Sequence, residues 1–133
     1  MKRLALGFGV FFVLMGAAGF VPALCPDGRL FGILATNLAH NMFYLASGAL
    51  GVLMSLGTQS FARKYFRIVA AGYGIVAVMG FLEGGSGMLL GMAMNWPDNL
   101  LDLALAIVAL VLGFAGTDVE AIAAPAPARV TRP

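Results

Sequence analysis

The chain has 133 residues, of which 61% are hydrophobic and only 11% charged, with a formal net charge of +2. A water-soluble domain of this size needs far more charge to cover its surface, so composition excludes an ordinary soluble globule. It leaves room for one domain of short-looped spans, and the absence of a basic stripe with interleaved aromatics excludes nucleic acid as a partner.

Met1-Lys2-Arg3 opens the chain with positive charge, and an apolar run follows from Leu4 to about Leu24. The run is too long for a signal-peptide core, and no small-x-small site ends it. Leu24 and Pro22 fit a lipoprotein site at Cys25 poorly. The run is therefore predicted to be an uncleaved first span. Cys25 is the single cysteine, which forbids an internal disulfide and a Cys-rich metal site. Beside Pro26-Asp27-Gly28 it is expected in an outer turn as an unpaired bystander.

The second run covers Leu38–Leu56, the third Tyr65–Leu82 and the fourth 99–117. A helix needs about 20 residues to cross some 30 Å of hydrocarbon. The fourth is the weakest, because Asp102 falls inside it. Arg63, Lys64 and Arg67 cluster between the second and third spans, Lys2 and Arg3 precede the first, and Arg129 and Arg132 lie in the tail. The remaining connections hold Arg29 alone among basic residues. That asymmetry predicts both termini in the cytoplasm. Phe61, Tyr65 and Phe66 beside Arg63 and Lys64 read as an aromatic and basic anchor for anionic lipid at the inner face. Residues 117–133, rich in alternating Ala and Pro, are expected to be a disordered cytoplasmic extension of a domain spanning 1–116.

Small residues four apart, Ser47 with Gly51, Ala70 with Gly74 and Gly80 with Gly84, suit close helix contacts in lipid. The chain also repeats itself. Met15-Gly16 is matched by Met79-Gly80, and Leu30-Phe31-Gly32 by Leu89-Leu90-Gly91. Asn37-Leu38-Ala39-His40-Asn41 is matched by Asn95-Trp96-Pro97-Asp98-Asn99. The expected fold is thus all-α, a polytopic membrane four-helix bundle built from two similar helical hairpins, related by an axis along the membrane normal.

Both repeated motifs then fall at the outer ends of the second and fourth helices. Asn37 and Asn95 are predicted helix caps, with Asp98 completing something like a capping box. Pro97 is tolerated in a first turn, and Trp96 suits an interfacial belt. Capping leaves other groups unexplained. His40 and Tyr44 share one helix face, as do Asp98 and Asp102. If those helices face each other, His40 could pair with Asp98 or Asp102, and Glu83 could join them. The candidate polar cluster is His40, Asn41, Tyr44, Glu83, Asp98, Asn99 and Asp102. A packing role is placed ahead of a ligand role. One histidine is thin support for a metal, so no metal site is assigned, with His40, Asp98 and Asp102 as the only candidate ligands, and no cofactor is expected.

These motifs, with Gly19-Phe20-Val21-Pro22 and Pro26-Asp27-Gly28, make the chain resemble bacterial four-helix integral membrane proteins catalogued as domain of unknown function 4383. The resemblance runs from about Leu4 to Gly116. It implies a four-pass protein of the bacterial inner membrane and supplies no activity. In that family a histidine commonly follows each motif one turn on, where this chain has Tyr44 and Asp102. A ligand role needing those histidines loses its support. The function expected is a non-enzymatic accessory or structural membrane component, in contact with lipid and with other membrane proteins or a second copy of itself. A small transporter or ion-conducting protein is the alternative. A metal-, haem- or quinone-binding protein using the outer-leaflet cluster is a second alternative.

Overall fold

The computed structural model describes residues 1–114. The predicted tail, 117–133, lies outside them. The fold is all-α in its main elements, with helices α1 (Lys2–Ala18), α2 (Leu38–Leu56), α3 (Gln59–Leu82) and α4 (Trp96–Phe114). Two small antiparallel hairpins interrupt them. Strands β1 (Arg29–Leu30) and β2 (Leu34–Ala35) join α1 to α2, and β3 (Gly87–Leu89) and β4 (Met92–Met94) join α3 to α4. Only Gly57 and Thr58 separate α2 from α3.

Four helix boundaries differ from the apolar runs: α1 begins at Lys2 rather than Leu4, and three others differ for local reasons. The first helix stops at Ala18 rather than Leu24, because Pro22 and Pro26 each open a short 3-10 turn. Cys25 sits in those turns, its sulfur 3.6 Å from the Ala18 carbonyl oxygen. The third helix starts six residues before Tyr65, where the Thr58 hydroxyl accepts from the Phe61 N–H. Arg63, Lys64 and Arg67 therefore ride on the first turns of α3, and no basic loop exists there. The fourth starts at Trp96, three residues before 99. Only α2 matches its run at both ends.

Neighbouring helices run antiparallel, and α1 packs chiefly on α2, α3 chiefly on α4. The α1–α2 contact is made of backbone. A Cβ added at Gly9 would stand 2.6 Å from the Val52 nitrogen, and one at Gly48 would stand 2.6 Å from the Val13 nitrogen. The α3–α4 contact uses alanine over its middle, with Ala70, Ala106 and Ala109 in the core and Gly74 in ordinary contact with Ala106 at 3.7 Å, and comes close at Gly113, where an added Cβ would stand 3.1 Å from the Arg67 nitrogen. Of the small pairs expected from spacing, Gly51 meets Tyr65 and Gly80 meets Asn99, whereas Gly84 has open space around it. Between the pairs an aromatic layer fills the centre. Phe12 stacks on Tyr73 at 4.9 Å and on Tyr44 at 5.9 Å, and the Tyr73 hydroxyl bonds the Ser47 hydroxyl at 3.1 Å.

The distribution of side chains is inverted relative to a soluble protein. Leu53, Ile68, Ile75, Ile107, Leu110 and Val111 are among many large apolar residues exposed on the helices. His40, Asn41, Asp98, Asn99 and Asp102 are buried. Two helices, Gln59–Leu82 and Trp96–Phe114, are long and apolar enough to cross a membrane.

Candidate functional site

The polar residues gather where the two hairpins meet the N-terminal ends of α2 and α4. Each helix start is built in the same way. The Asn37 side-chain oxygen accepts from the His40 N–H at 3.0 Å, and the Asn95 oxygen accepts from the Asp98 N–H at 3.0 Å. These bonds satisfy N–H groups that a helix cannot pair internally. Asp98 returns the favour by accepting from the Asn95 N–H at 3.0 Å, which completes the capping box.

The same residues then reach across to the other helix pair. The Asn37 amide donates to the Gly91 carbonyl at 2.8 Å, and the Asn95 amide donates to the Ile33 carbonyl at 2.8 Å. The His40 ring meets the Ala93 carbonyl through Nδ1 at 2.9 Å, while the same Asp98 oxygen that accepts from Asn95 also accepts from the Ala35 N–H at 2.9 Å. A carbonyl can only accept, so Nδ1 is the ring nitrogen that carries hydrogen here. Residues 33, 35, 37 and 40 thus find as partners or counterparts residues 91, 93, 95 and 98, each 58 positions further along the chain. Each hairpin lies over the start of the other pair's second helix.

Deeper in, Asn41 and Asn99 each face a glycine. A Cβ on Gly19 would collide with the Asn41 amide, and one on Gly80 with the Asn99 amide. The structural counterpart of Gly80 is therefore Gly19, three residues beyond the Gly16 that the sequence match suggested. Asn41 accepts from the Thr36 hydroxyl at 2.6 Å, and the Asn99 amide donates to the Gly85 carbonyl at 3.1 Å. One turn further on, Tyr44 and Asp102 are buried in the middle. His40 stacks on the Tyr44 ring at 4.7 Å. Tyr44 lies within electrostatic range of Asp102 and of Asp98. The Tyr44 hydroxyl and one oxygen each of Asp98, Asn99 and Asp102 are buried without a hydrogen-bond partner.

The geometry thus brings together six of the seven cluster residues. Glu83, at the C-terminal end of α3, is exposed, whereas the other six are buried. His40 pairs with a β4 carbonyl and not with Asp98 or Asp102, because the strands of the hairpins come between the starts of α2 and α4. Among the described residues no group of three or more His, Cys, Asp or Glu is arranged to hold a metal ion, so His40, Asp98 and Asp102 do not form one. The hairpins themselves escaped sequence reasoning, although the Phe31-Gly32 and Leu90-Gly91 pairs are where a turn signal would sit.

The model of a Domain of unknown function (DUF4383) matches residues 2–115. The chain belongs to that family. No curated protein and no solved structure matches it. For this DUF4383 chain the family match covers all four helices and both hairpins. At the opposite end, α3 carries the basic residues. Arg67 donates through Nε to the Gly113 carbonyl at 2.9 Å and lies 4.6 Å over the Phe114 ring. Lys64 sits 5.4 Å from the Phe61 ring, but Tyr65 and Phe66 are wholly buried, so of the expected aromatic anchor only Phe61 faces outward.

Proposed function

We propose that this chain is a four-pass integral membrane protein of the bacterial inner membrane with both ends in the cytoplasm, and that it acts as a non-enzymatic accessory or structural component. The observation that carries the reading is the inverted surface. Large apolar side chains cover the outside of all four helices, and the charged and amide groups of α2 and α4 are buried. In water that arrangement loses the hydrophobic driving force, whereas in hydrocarbon it is the low-energy one. At 17 residues α1 is the shortest helix, about 26 Å at 1.5 Å per residue, and the apolar residues Phe20 and Val21 extend its reach.

Two similar helical units form the bundle, each a helix, a hairpin and a second helix. The reciprocal bonds of Asn37 and Asn95 support this, as does the matching of Gly19 with Gly80. The polar residues then act as a buckle that fixes how the units dock, at the outer leaflet. The non-enzymatic part of the reading rests on His40, the one histidine, being committed to the Ala93 carbonyl and the Tyr44 ring. Partners are other membrane proteins or further copies of the chain.

The test is topological. After alkaline carbonate washing the protein should remain in the membrane pellet. A reporter active only in the cytoplasm should work when fused after Gly57 and fail when fused after Ser86. The reverse pattern, or release into the wash, sinks the reading.

A second reading, a small transporter or ion-conducting protein, draws on the unpartnered oxygens of Tyr44, Asp98, Asn99 and Asp102. A buried carboxylate is costly in hydrocarbon and commonly marks an ion or proton path. Ion flux in liposomes that is lost in Asp102→Asn would favour it over the first.

A further inference from the structure

The hairpin tips carry an apolar surface that a turn in water has no reason to keep. In the second hairpin Leu89 pairs with Met92, leaving Leu90-Gly91 as a two-residue turn with φ of 52° and 82°. Both values are positive, as this turn type demands, and the residue that suits the first position is Asn, Asp or Gly. The first hairpin repeats the device with one residue more: Phe31 at φ 54° and Gly32 at φ 74°, followed by Ile33. A bulky side chain in the left-handed region costs energy that Asn would largely avoid. Yet Leu90 is 76% exposed and Phe31 54% exposed, although the Phe31 N–H is tied to the Leu24 carbonyl at 2.7 Å.

Charge stands only at the bases of these segments, on exposed Arg29 of β1 and Glu83 at the end of α3. From Leu30 to Ala39, and again from Gly84 to Pro97, no residue is charged. The tips are also continuous with apolar helix faces. The bonds to Gly91 and Ile33 hold them beside the first turns of α2 and α4, where Leu38, Met42, Trp96 and Leu100 are exposed. On the membrane reading above, on which this inference rests, those faces already meet lipid.

We propose that both hairpins are seated in the outer leaflet, with Phe31 and Leu90 among the upper segments of the acyl chains. The hairpins act as two shallow wedges at the outer rim of the bundle. The reciprocal asparagine bonds hold them down, and strand pairing together with the bonds from Asn37, His40, Asn95 and Asp98 satisfies many of the hairpin backbone groups that lipid could not.

Depth-resolved quenching tests this. Trp96→Phe removes the native fluorophore, and Phe31→Trp or Leu90→Trp then reports from one tip at a time; Leu110→Trp on α4 serves as the reference. In vesicles whose acyl chains carry bromine near the glycerol end, tip fluorescence should fall about twofold, with little effect of aqueous iodide. Quenching by iodide alone would place the tips in water and overturn the proposal. Protection from both quenchers would mean that protein covers them, a second copy included, and would overturn it equally. Either result with Leu110→Trp still quenched by deep bromines leaves the membrane reading standing. If bromine at no depth quenches Leu110→Trp, the membrane reading falls and takes this inference with it. Using both tips keeps the test decisive should one variant misfold.

Discussion

The first helix pair meets backbone to backbone through Gly9 and Gly48, and the second meets through alanine methyls over its middle and backbone to backbone at one end. Gly9 and Gly48 let α1 and α2 approach until no Cβ fits between them, whereas Gly74 faces Ala106 across an ordinary 3.7 Å contact and Gly113 comes close to the Arg67 backbone. For a bundle set in lipid, as proposed above, close approach of this kind is a main source of helix attraction. The two halves therefore differ at mid-helix while sharing one plan at their hairpin ends. There the contrast turns chemical. His40 and Asp98 occupy matching positions and reach matching strands, one facing a carbonyl and the other accepting from an N–H. A donor on one side and an acceptor on the other let equivalent positions serve backbone groups of opposite polarity.

The comparison can be broken most sharply at the glycines. Gly48→Leu forces its side chain into Val13 and Gly9 and should cost about 3 kcal/mol or more, read as a large drop in thermal stability in detergent. Gly74→Ala on the other pair should change stability by less than about 0.5 kcal/mol. Equal effects would remove the distinction between the two interfaces.

Next come the caps. Asn95→Ala loses the cap on the Asp98 N–H and the bond to Ile33, while its backbone N–H still donates to Asp98, and is expected to cost about 1.5 kcal/mol. Asn37→Ala loses the equivalent cap on the His40 N–H and the bond to Gly91, and should cost about the same. Denaturation in a graded detergent series compares the two, and a difference above about 1 kcal/mol would show that the two straps are not equivalent.

The carboxylates differ in sign. Asp98 accepts two N–H bonds through one oxygen, so Asp98→Asn should destabilise by about 1 kcal/mol. Asp102 has a buried oxygen with no partner, so Asp102→Asn should leave stability unchanged or raise it by up to about 1 kcal/mol. A large loss in Asp102→Asn would mean that its carboxylate is engaged in the folded protein. A small effect is also expected at the centre. Tyr73→Phe removes one bond to Ser47 and keeps the stacking on Phe12, for a loss of about 0.5 kcal/mol in the same assay.

Much of this was readable from residues alone, but unevenly. Asn37 and Asn95 announced the helix starts because capping is local chemistry, and α2 followed its apolar run to the residue. The repeated Asn motifs also led to the right cluster, since His40, Asn41, Tyr44, Asp98, Asn99 and Asp102 all lie in it. Glu83 differs from these in being exposed, because nearness along the hairpin end says nothing about which way a helix end points. The hairpins were invisible because strands of two or three residues carry no alternating pattern, and Phe31 and Leu90 are residues that rarely adopt a left-handed turn. The partners of His40 and Asp98 lie 53 and 63 residues away in sequence and are backbone groups, which leave no side-chain signature. The Gly9–Gly48 contact escaped as well, because spacing within a helix cannot say which glycine on another helix it will meet.

The two-residue link at Gly57–Thr58 has a consequence for how this polypeptide could be divided. The asparagine bonds by which each half straps the other are made at the far end, by groups that a symmetric dimer of single hairpin units would offer twice over. Severing the chain at Gly57–Thr58 should therefore give two fragments that reassociate when co-expressed, each supplying the strap that the other needs.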